Sequence, residues 1–420
     1  MLRVKVFAFV LTIFVFVHCG GEEFSNGITE VPDDYEPDLY QQAVEIAHST
    51  IILDGHVDVP YRLNKEMEDI SQATEEGNFD YPRAKAGGLD APFMSIYIPA
   101  ELQKTPGASK QHADKLIAMT DSIMAANPER FAPAHNPDDV RENFEKGLIS
   151  FAYGMENGSG IEDDLTNVEY FYKKGIRYIT LTHAKKNQIC DSSYDPNKVW
   201  NGLSPFGKKM VAEMNRLGIM VDISHVSDST FYQVLRLTEV PVICSHSSCR
   251  HFTPGWERNV SDDMLRELAK NGGVIQINFG SSFLTEKANK YDTKKYAYLG
   301  RIMEEHGITS FGDSLIEAEL EKYEKENPYP YADIIDVIDH IDHAVNVAGI
   351  DHVGLGSDFD GVGETLPTDL KSVADYPKLI YHLLKRGYSE SDIEKILSGN
   401  VLRVWEAVGE YSQNNRQMSE

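Results

Sequence analysis

The feature that most constrains the fold is a series of short apolar runs that end in side chains able to bind metal ions. The clearest is Ile51–Pro60, an apolar stretch that reaches His56-Val57-Asp58 and stops at a proline, as a buried strand would. Alternate side chains of a strand share a face, so His56 and Asp58 should point the same way. An imidazole with a carboxylate suits zinc or a related ion. A single pair of this kind also arises by chance, with the histidine at the end of a strand and the aspartate at the start of a turn. The other apolar runs are therefore needed to distinguish the two interpretations.

Further apolar runs end in ionisable side chains, namely Glu156, His183, His225, His246 and Asp358. A single histidine at a strand end is usually a buried or capping residue. Four imidazoles and three carboxylates in one place would crowd charge unless metal ions balanced it. One tetrahedral zinc cannot use so many ligands, so the count predicts two metal ions. A hydroxide shared by two ions would attack an acyl or phosphoryl centre.

The order of the apolar runs predicts the fold. The expected strands are Ile51–Pro60, Phe93–Ile98, Leu148–Met155, Ile176–Thr182, Ile219–Ser224, Val240–Ser245, Gly273–Phe279 and Val353–Gly356. Helical patterns lie between them, at Asp38–Ser49, Ala108–Ala126, Asp163–Lys174, Pro205–Leu217, Asp228–Thr238, Ser261–Asn271 and Ala332–Ala348. Alternating strands and helices, with about eight strands, predict an α/β fold of the (β/α)8 TIM-like barrel type. Insertions at Tyr61–Pro92 and Gly280–Pro330 should emerge at the carboxyl ends of strands and shape a pocket there.

The first residues are predicted to be a targeting segment. Basic residues precede an apolar run at Val6–Val17 that suits a secretory signal and is too short to span a bilayer. We therefore interpret residues 1–19 as a signal peptide, 20–38 as an acidic tether and 39–420 as the barrel domain. Cys19 begins Cys-Gly-Gly and resembles the lipidation site of a bacterial lipoprotein; cleavage without lipid is the alternative. The protein is expected to be exported, either lipid-anchored in the cell envelope or periplasmic or secreted.

The charge of the chain excludes one class of partner. With 40 Lys+Arg against 66 Asp+Glu, the formal net charge is −26, which repels phosphate backbones and anionic membrane surfaces. Nucleic acid is therefore not an expected partner. After Cys19 only Cys190, Cys244 and Cys249 remain, which predicts no disulfide framework, although Cys244 and Cys249 could bridge.

Several motifs together resemble one known family. They are Asp54-Gly55-His56-x-Asp58-x-Pro60, Leu181-Thr182-His183, Asp222-Ile223-Ser224-His225-Val226-Ser227, Ser245-His246-Ser247-Ser248, Arg258-Asn259-Val260-x-Asp262-Asp263 and Gly356-Ser357-Asp358-Phe359-Asp360-Gly361. In this order they resemble the membrane (renal) dipeptidases, zinc metallopeptidases of family M19. The likeness runs from about Ile51 to Trp405.

The resemblance implies a role for each site residue. One zinc ion would be held by His56 and Asp58 and the other by His225 and His246, with Glu156 bridging both. His183 would contact the scissile carbonyl and stabilise its oxyanion. Arg258 would bind the substrate's terminal carboxylate, and Asp358 would carry the proton to the leaving amine. The implied reaction is hydrolysis of dipeptides by a metal-bridging hydroxide, with C-terminal D-residues as one substrate type.

Three residues differ from the family pattern, and two alternative functions remain open. Val57, Asn157 and Gly280 differ from the family pattern, which leaves dipeptide preference undecided. Another binuclear amidohydrolase, acting on lactones, phosphoesters or N-acyl amines, would usually begin with His-x-His and use a modified lysine as the bridge. A non-catalytic surface lipoprotein on the same barrel would normally have lost a ligand. The sequence also leaves open a homodimer. His340 and His343 are interpreted as packing or solvated residues rather than metal ligands.

Overall fold

The computed structural model describes residues 31–308 and 312–417. Its strands are β1 (Ile52–Val57), β2 (Leu89–Tyr97), β3 (Phe131–Pro133), β4 (Ile149–Glu156), β5 (Ile176–Thr180), β6 (Met220–Asp222), β7 (Ile243–Cys244), β8 (Val274–Ile277) and β9 (Val353–Leu355). All of the pairings between these strands are parallel. The order is β2-β1-β9-β8-β7-β6-β5-β4-β3, and β2 also pairs with β4. That pairing closes a barrel of eight strands and leaves β3 outside it.

The barrel strands are buried on both faces, which explains why the sequence shows continuous apolar runs rather than alternation. Every residue of β1, β4 and β5 is buried. Parallel strands covered by helices outside and packed side chains inside have this composition. The eight predicted strands are all present, so the predicted TIM-like barrel is confirmed. The prediction missed β3, because its three residues contain a proline and form a pairing only with β4.

The helices that surround the barrel are α1 (Pro37–Ser49), α2 (Val59–Lys65), α3 (Tyr81–Gly87), α4 (Ala108–Ala126), α5 (Pro137–Glu145), α6 (Thr166–Lys173), α7 (Pro205–Leu217), α8 (Asp228–Leu237), α9 (Asp262–Asn271), α10 (Ser281–Leu284), α11 (Glu286–His306), α12 (Ser314–Glu326), α13 (Ile334–Ala348), α14 (Tyr376–Arg386), α15 (Glu390–Glu394) and α16 (Asn400–Gln417). A serine begins several of them: the hydroxyls of Ser204, Ser227 and Ser261 accept backbone N–H groups of α7, α8 and α9. Such caps satisfy donors that the first turn leaves free, so the helices start at defined residues after the barrel loops.

The predicted tether and insertions are partly described. Tyr35 stacks on Tyr381 at 4.1 Å between ring centroids, and α1 begins at Pro37, so packing starts a few residues before the predicted boundary at 39. Cys19 and the predicted signal peptide lie outside the described residues. The insertion after β8 contains α10, α11 and α12. Among the described residues, no helix is both long and apolar enough to cross a membrane.

Candidate metal centre

All of the residues predicted to bind metal or substrate lie at one mouth of the barrel, because parallel strands place their carboxyl ends on the same side. His56 is in β1, Glu156 ends β4, and the others follow their strands by two or three residues, as His183 after β5, His225 after β6, His246 after β7 and Asp358 after β9. Except for His183, which is partly exposed, these side chains are buried. The barrel thus brings together residues that are up to about three hundred positions apart in the sequence.

Glu156 lies at the centre of this group. Its Oε1 is 3.1 Å from Nε2 of His225, 3.3 Å from Nε2 of His246 and 3.6 Å from Nε2 of His183. Its other oxygen, Oε2, is 3.5 Å from Nε2 of His56. The two carboxylate oxygens therefore face two different sets of imidazoles.

The surrounding donors suit metal ions. His56, Glu156 and His246 offer ligand atoms within 4.8 Å of one another, as do His56, Asp58 and Asp358. The Nε2 atoms of His225 and His246 are only 2.8 Å apart. Within the described part of the chain, buried Nε2 of His56 and Oδ1 of Asp58 have no hydrogen-bond partner. Converging imidazoles and carboxylates with unused lone pairs are the donor set that zinc prefers.

The electrostatics agree with this chemistry. Burial holds the pKa of His225 and that of His246 well below the usual histidine value, so both rings are neutral, as metal ligands must be. Burial would raise the pKa of Glu156, but nearby His56 and His183 hold it well below its usual range. At Asp358, burial together with Asp58 and Glu156 raises the pKa to about 7, although His56 opposes the shift. One carboxyl group in the site can thus carry a proton near neutral pH.

Two of the candidate ligands, His56 and His246, are oriented by hydroxyl groups that engage the Nδ1 atom of each ring. The Tyr178 hydroxyl lies 2.8 Å from Nδ1 of His56, and Ser245 Oγ lies 2.7 Å from Nδ1 of His246. Ser245 also donates to Asp222 at 2.6 Å. These contacts leave Nε2 of each ring directed at the site, because the other nitrogen is already engaged. Asn278 donates to Asp358 at 2.7 Å.

Arg258 is a buried cation next to the metal-ligand candidates. Its Nη1 donates to Ser247 Oγ at 2.7 Å and its Nη2 to the His246 carbonyl at 2.8 Å. Its Nε has no partner among the described residues. A guanidinium has five N–H donors, so a buried one with unused donors is suited to bind an anion.

The histidines set aside in the sequence analysis have other partners. Buried His340 on α13 accepts from Cys249 N and lies 2.9 Å from the Leu284 carbonyl, which makes it a packing residue as predicted. His343, His251 and Asp262 form another group that could hold a cation, but a 2.8 Å contact between His343 and Asp262 already pairs them. Cys190, Cys244 and Cys249 are buried and free, so the bridge between Cys244 and Cys249 is absent.

Comparison with known proteins identifies the family. A family model described as membrane dipeptidase, peptidase family M19, matches residues 40–419. The chain belongs to this family. It is therefore a dipeptidase-family metallopeptidase, a metal-dependent hydrolase that acts on peptide bonds. The recognition made from the motifs is confirmed.

Individual relatives of this M19 dipeptidase support the family assignment. It is 32% identical over 375 residues to the dipeptidase tcpJ of Claviceps purpurea, covering 86% of this chain and 78% of that protein. It is similar to the crystal structure of the probable dipeptidase PvdM from Pseudomonas aeruginosa, with a TM-score of 0.77 and 25% identity, over 90% of this chain and 100% of that one. A Rhodobacter sphaeroides metallopeptidase with a phosphinate mimic of L-Ala-D-Ala has a TM-score of 0.69 and 25% identity, over 86% and 100% of the two chains.

The sequence analysis did not assign the residues that orient the ligands. Tyr178 lies two residues before the end of β5, with its side chain inside the barrel, and nothing in the linear pattern distinguishes it from a core tyrosine. Ser245 and Asp222 were visible only as parts of the family motifs. Their neighbouring strands, rather than their own sequence, determine what they contact.

Proposed function

We propose that the protein is a zinc-dependent dipeptidase with a dinuclear centre. His56 and Asp58 would hold one ion, His225 and His246 the other, and Glu156 would bridge them. The observation that supports this most is the position of Glu156, whose Oε1 lies 3.1 to 3.6 Å from three imidazoles and whose Oε2 lies 3.5 Å from the imidazole of His56. Metal ions held by these residues would supply Lewis acidity to a substrate carbonyl and would make a water molecule more acidic.

Two side chains of the protein would stabilise the carbonyl oxygen and transfer the proton. His183 lies 3.6 Å from Glu156 at the partly exposed edge of the site, where its ring can donate to the oxygen of the scissile carbonyl. Asp358 has a pKa of about 7 and is held by Asn278, so its carboxyl group can accept a proton and pass it to the leaving amine. In this proposal Glu156 would occupy the bridging position, which disfavours the amidohydrolases that use a modified lysine there.

Arg258 would restrict the enzyme to dipeptides by binding the free C-terminal carboxylate. The chain carries a formal charge of −26, so an anionic substrate needs a local cation. We expect a roughly hundredfold lower kcat/KM for a C-amidated dipeptide, equivalent to about 3 kcal/mol, because the guanidinium would lose its charged partner. Arg258→Met should remove the preference by lowering activity on the free acid alone.

The same substitution at Arg266 is a matched control, because its guanidinium is on the surface of α9 and pairs with Asp263. Arg266→Met should keep the preference for the free acid. Equal hydrolysis of acid and amide by the unmodified enzyme would show that Arg258 has another role and would favour a different amidohydrolase activity.

C-terminal D-residues are a further part of the proposal. A structurally similar metallopeptidase from Rhodobacter sphaeroides binds a phosphinate mimic of L-Ala-D-Ala. We expect this enzyme to cleave both L-Ala-L-Ala and L-Ala-D-Ala, with N-blocked dipeptides as negative controls. Cleavage of only the L,L series would remove this part of the proposal and leave the dipeptidase activity.

We also propose export with attachment through Cys19, from the sequence pattern alone. Cys19→Ser should move the protein from the membrane fraction to the soluble fraction of the cell envelope or the medium. Unchanged partitioning would indicate plain signal cleavage or another anchor.

A further inference from the structure

Three aromatic rings form a continuous surface beside Arg258, which we name the aromatic wall and define as Tyr194, Trp256 and Phe283. The ring centroids of Tyr194 and Trp256 are 6.1 Å apart, and those of Trp256 and Phe283 are 5.1 Å apart. Neighbouring rings at these separations pack edge to face and offer one apolar surface. They come from three different connections: Tyr194 follows β5, Trp256 follows β7, and Phe283 lies in α10 after β8.

The aromatic wall spans the gap between the metal-ligand candidates and the guanidinium. At one end, Tyr194 lies 5.7 Å from the ring of His225. At the other end, the guanidinium carbon of Arg258 lies 5.1 Å from the centre of the Phe283 ring. A dipeptide with its scissile carbonyl at the metal centre and its carboxylate on Arg258 would have its C-terminal residue between these ends.

Tyr194 is accessible but held in position. Ser193 N donates to the His225 carbonyl at 2.7 Å, and Tyr194 N donates to Ser192 Oγ at 3.1 Å. The Tyr194 side chain is 40% exposed, so a ligand can reach its ring. The charges of Arg258 and Asp358 act on its hydroxyl, which places the ring beside these two residues. The ring thus faces the site from a loop that is tied to a candidate metal ligand.

Gly280 explains how Phe283 reaches its place in the wall. A Cβ atom on Gly280 would lie 3.0 Å from Cδ2 of Phe283 and 2.9 Å from Cγ1 of Val362. A larger residue at 280 would therefore require Phe283 or Val362 to shift. The absence of a side chain at this position, one of the departures from the family pattern, lets a phenylalanine three residues later supply the apolar surface.

We propose that the aromatic wall is the subsite for the side chain of the substrate's C-terminal residue, and that it favours apolar side chains there. This inference rests on the proposed dipeptidase function. The three rings of the wall carry no charge. Of the two described cations beside it, Arg258 would be used by the carboxylate, and Lys198 already pairs with Glu257 at 2.9 Å and donates to the Ser192 carbonyl. An acidic side chain would lie near Asp358 without a cation of its own, so a C-terminal Asp should be disfavoured.

The test compares substrates that differ only at the C-terminal residue. The zinc-loaded enzyme is assayed on Ala-Gly, Ala-Leu, Ala-Phe and Ala-Asp, and kcat/KM is measured for each. We expect Ala-Leu and Ala-Phe to exceed Ala-Gly by about tenfold, equivalent to about 1.4 kcal/mol, as partial burial of one apolar side chain predicts. Ala-Asp should fall below Ala-Gly.

Variants then test whether the wall causes the preference. Tyr194→Ala should reduce the Ala-Phe to Ala-Gly ratio of kcat/KM at least threefold, whereas Tyr194→Phe, which keeps the ring, should retain it. Val199→Ala is the matched control, because this side chain belongs to the same loop and is 59% exposed. A second series, Gly-Gly, Leu-Gly and Phe-Gly, changes only the N-terminal residue, and its ratios should not respond to Tyr194→Ala.

The outcomes separate the inference from the proposed function. If no dipeptide is hydrolysed, the proposed function itself fails. If dipeptides are hydrolysed but the C-terminal series is flat, or Tyr194→Ala leaves its ratios unchanged, the subsite assignment is overturned and the dipeptidase function stands. If Tyr194→Ala changes the N-terminal series instead, the wall binds the other residue of the dipeptide and the inference is wrong.

Discussion

The Tyr178 hydroxyl shows how single residues prepare this site. It engages Nδ1 of His56 at 2.8 Å and thereby leaves Nε2 for a metal ion. Gly154 on the neighbouring strand makes room for it, since a Cβ there would lie 1.9 Å from the Tyr178 ring. The backbone of His225 has a φ of 66° and that of Asp358 a φ of 63°, in the left-handed region that non-glycine residues seldom adopt. Strain at two site residues is typical of positions selected for function.

Tyr178→Phe tests the positioning of His56. The ring keeps its packing but loses the hydroxyl, so His56 is less firmly held toward the metal. We expect zinc affinity to fall by about tenfold or more, in the range reported for groups that orient metal ligands. Competition with a chelator measures this directly. Tyr153→Phe is the control. It removes a part-buried hydroxyl of β4 that donates to Asp121 on α4, and it should leave zinc affinity unchanged.

Glu156→Gln tests the bridge. A neutral amide cannot balance two divalent cations, so we expect kcat to fall by roughly a thousandfold or more with little change in the melting temperature of the stripped protein. Metal content should fall below two ions per chain. Glu162→Gln is the same change six residues later, where the half-buried carboxylate accepts the Gly107 N–H at 3.0 Å, which the amide oxygen of Gln can also accept. This variant should behave like the unmodified enzyme. Near-normal turnover of Glu156→Gln would place the bridge elsewhere.

At the scale of elements, the loop that carries Arg258 is fastened to helix α13. His340 is fully buried and has two backbone partners: Cys249 N donates to its Nδ1 at 2.9 Å, and its Nε2 donates to the Leu284 carbonyl at 2.9 Å. Only the neutral ring with hydrogen on Nε2 satisfies both partners, because a proton on Nδ1 would meet an N–H group. One side chain thus joins α13, α10 and the loop after β7.

This contact predicts a pH dependence of stability. Burial lowers the pKa of His340 to about 3, whereas an unfolded histidine has a pKa near 6.5. Between these values the unfolded chain binds one more proton, so the stability that neutral His340 contributes is present above about pH 6.5 and is lost as the pH falls below it. His340→Gln should destabilise the protein at pH 7.5, and this penalty should shrink by about 1.4 kcal/mol at pH 5.5.

Denaturant unfolding of both proteins at the two pH values measures the change, and the comparison cancels the titration of other groups. His343→Gln is the control, because that ring is partly exposed and pairs with Asp262 on the surface. A penalty for His340→Gln that does not depend on pH would show that the pKa of His340 is the same in the folded and unfolded protein.

At the scale of the whole molecule, the candidate metal centre concentrates buried negative charge at one end of the barrel. Six barrel strands end in the site residues, and the buried carboxylates of Asp58, Glu156 and Asp358 lie together without lysine or arginine salt bridges among the described residues. In a chain with a formal charge of −26, this concentration of negative charge opposes folding unless cations balance it.

Metal removal should therefore lower global stability. We expect the chelated protein to melt several degrees below the loaded one, since a ligand present at a thousand times its dissociation constant contributes about 4 kcal/mol. Titration with zinc should restore the melting temperature over two equivalents per chain. Complete restoration by one equivalent, with full activity, would contradict a dinuclear centre.

Much of this protein could be predicted from its sequence. Continuous apolar runs bounded by turns located the eight barrel strands, because strands buried on both faces have no other composition. The ionisable residues that ended six of these runs were predicted to meet, since a closed parallel barrel brings all carboxyl ends to one mouth, and the structure places them together there. The helix at Ala108–Ala126 was predicted to the residue from its periodicity alone.

The tertiary structure was needed to show which residues orient the candidate ligands and which side chains line the pocket beside them. Tyr178 contacts His56 across 122 positions, and Asp54 contacts Ser357 across 303, so no local pattern could have paired them. The aromatic wall depends in the same way on loops from three strands, and on a glycine that leaves Phe283 room. The strands can be predicted from short apolar runs, and the candidate ligands from the ionisable residues that end them, because both patterns involve neighbours in the sequence. Orientation and substrate preference arise from contacts between distant segments, which exist only after the barrel has closed.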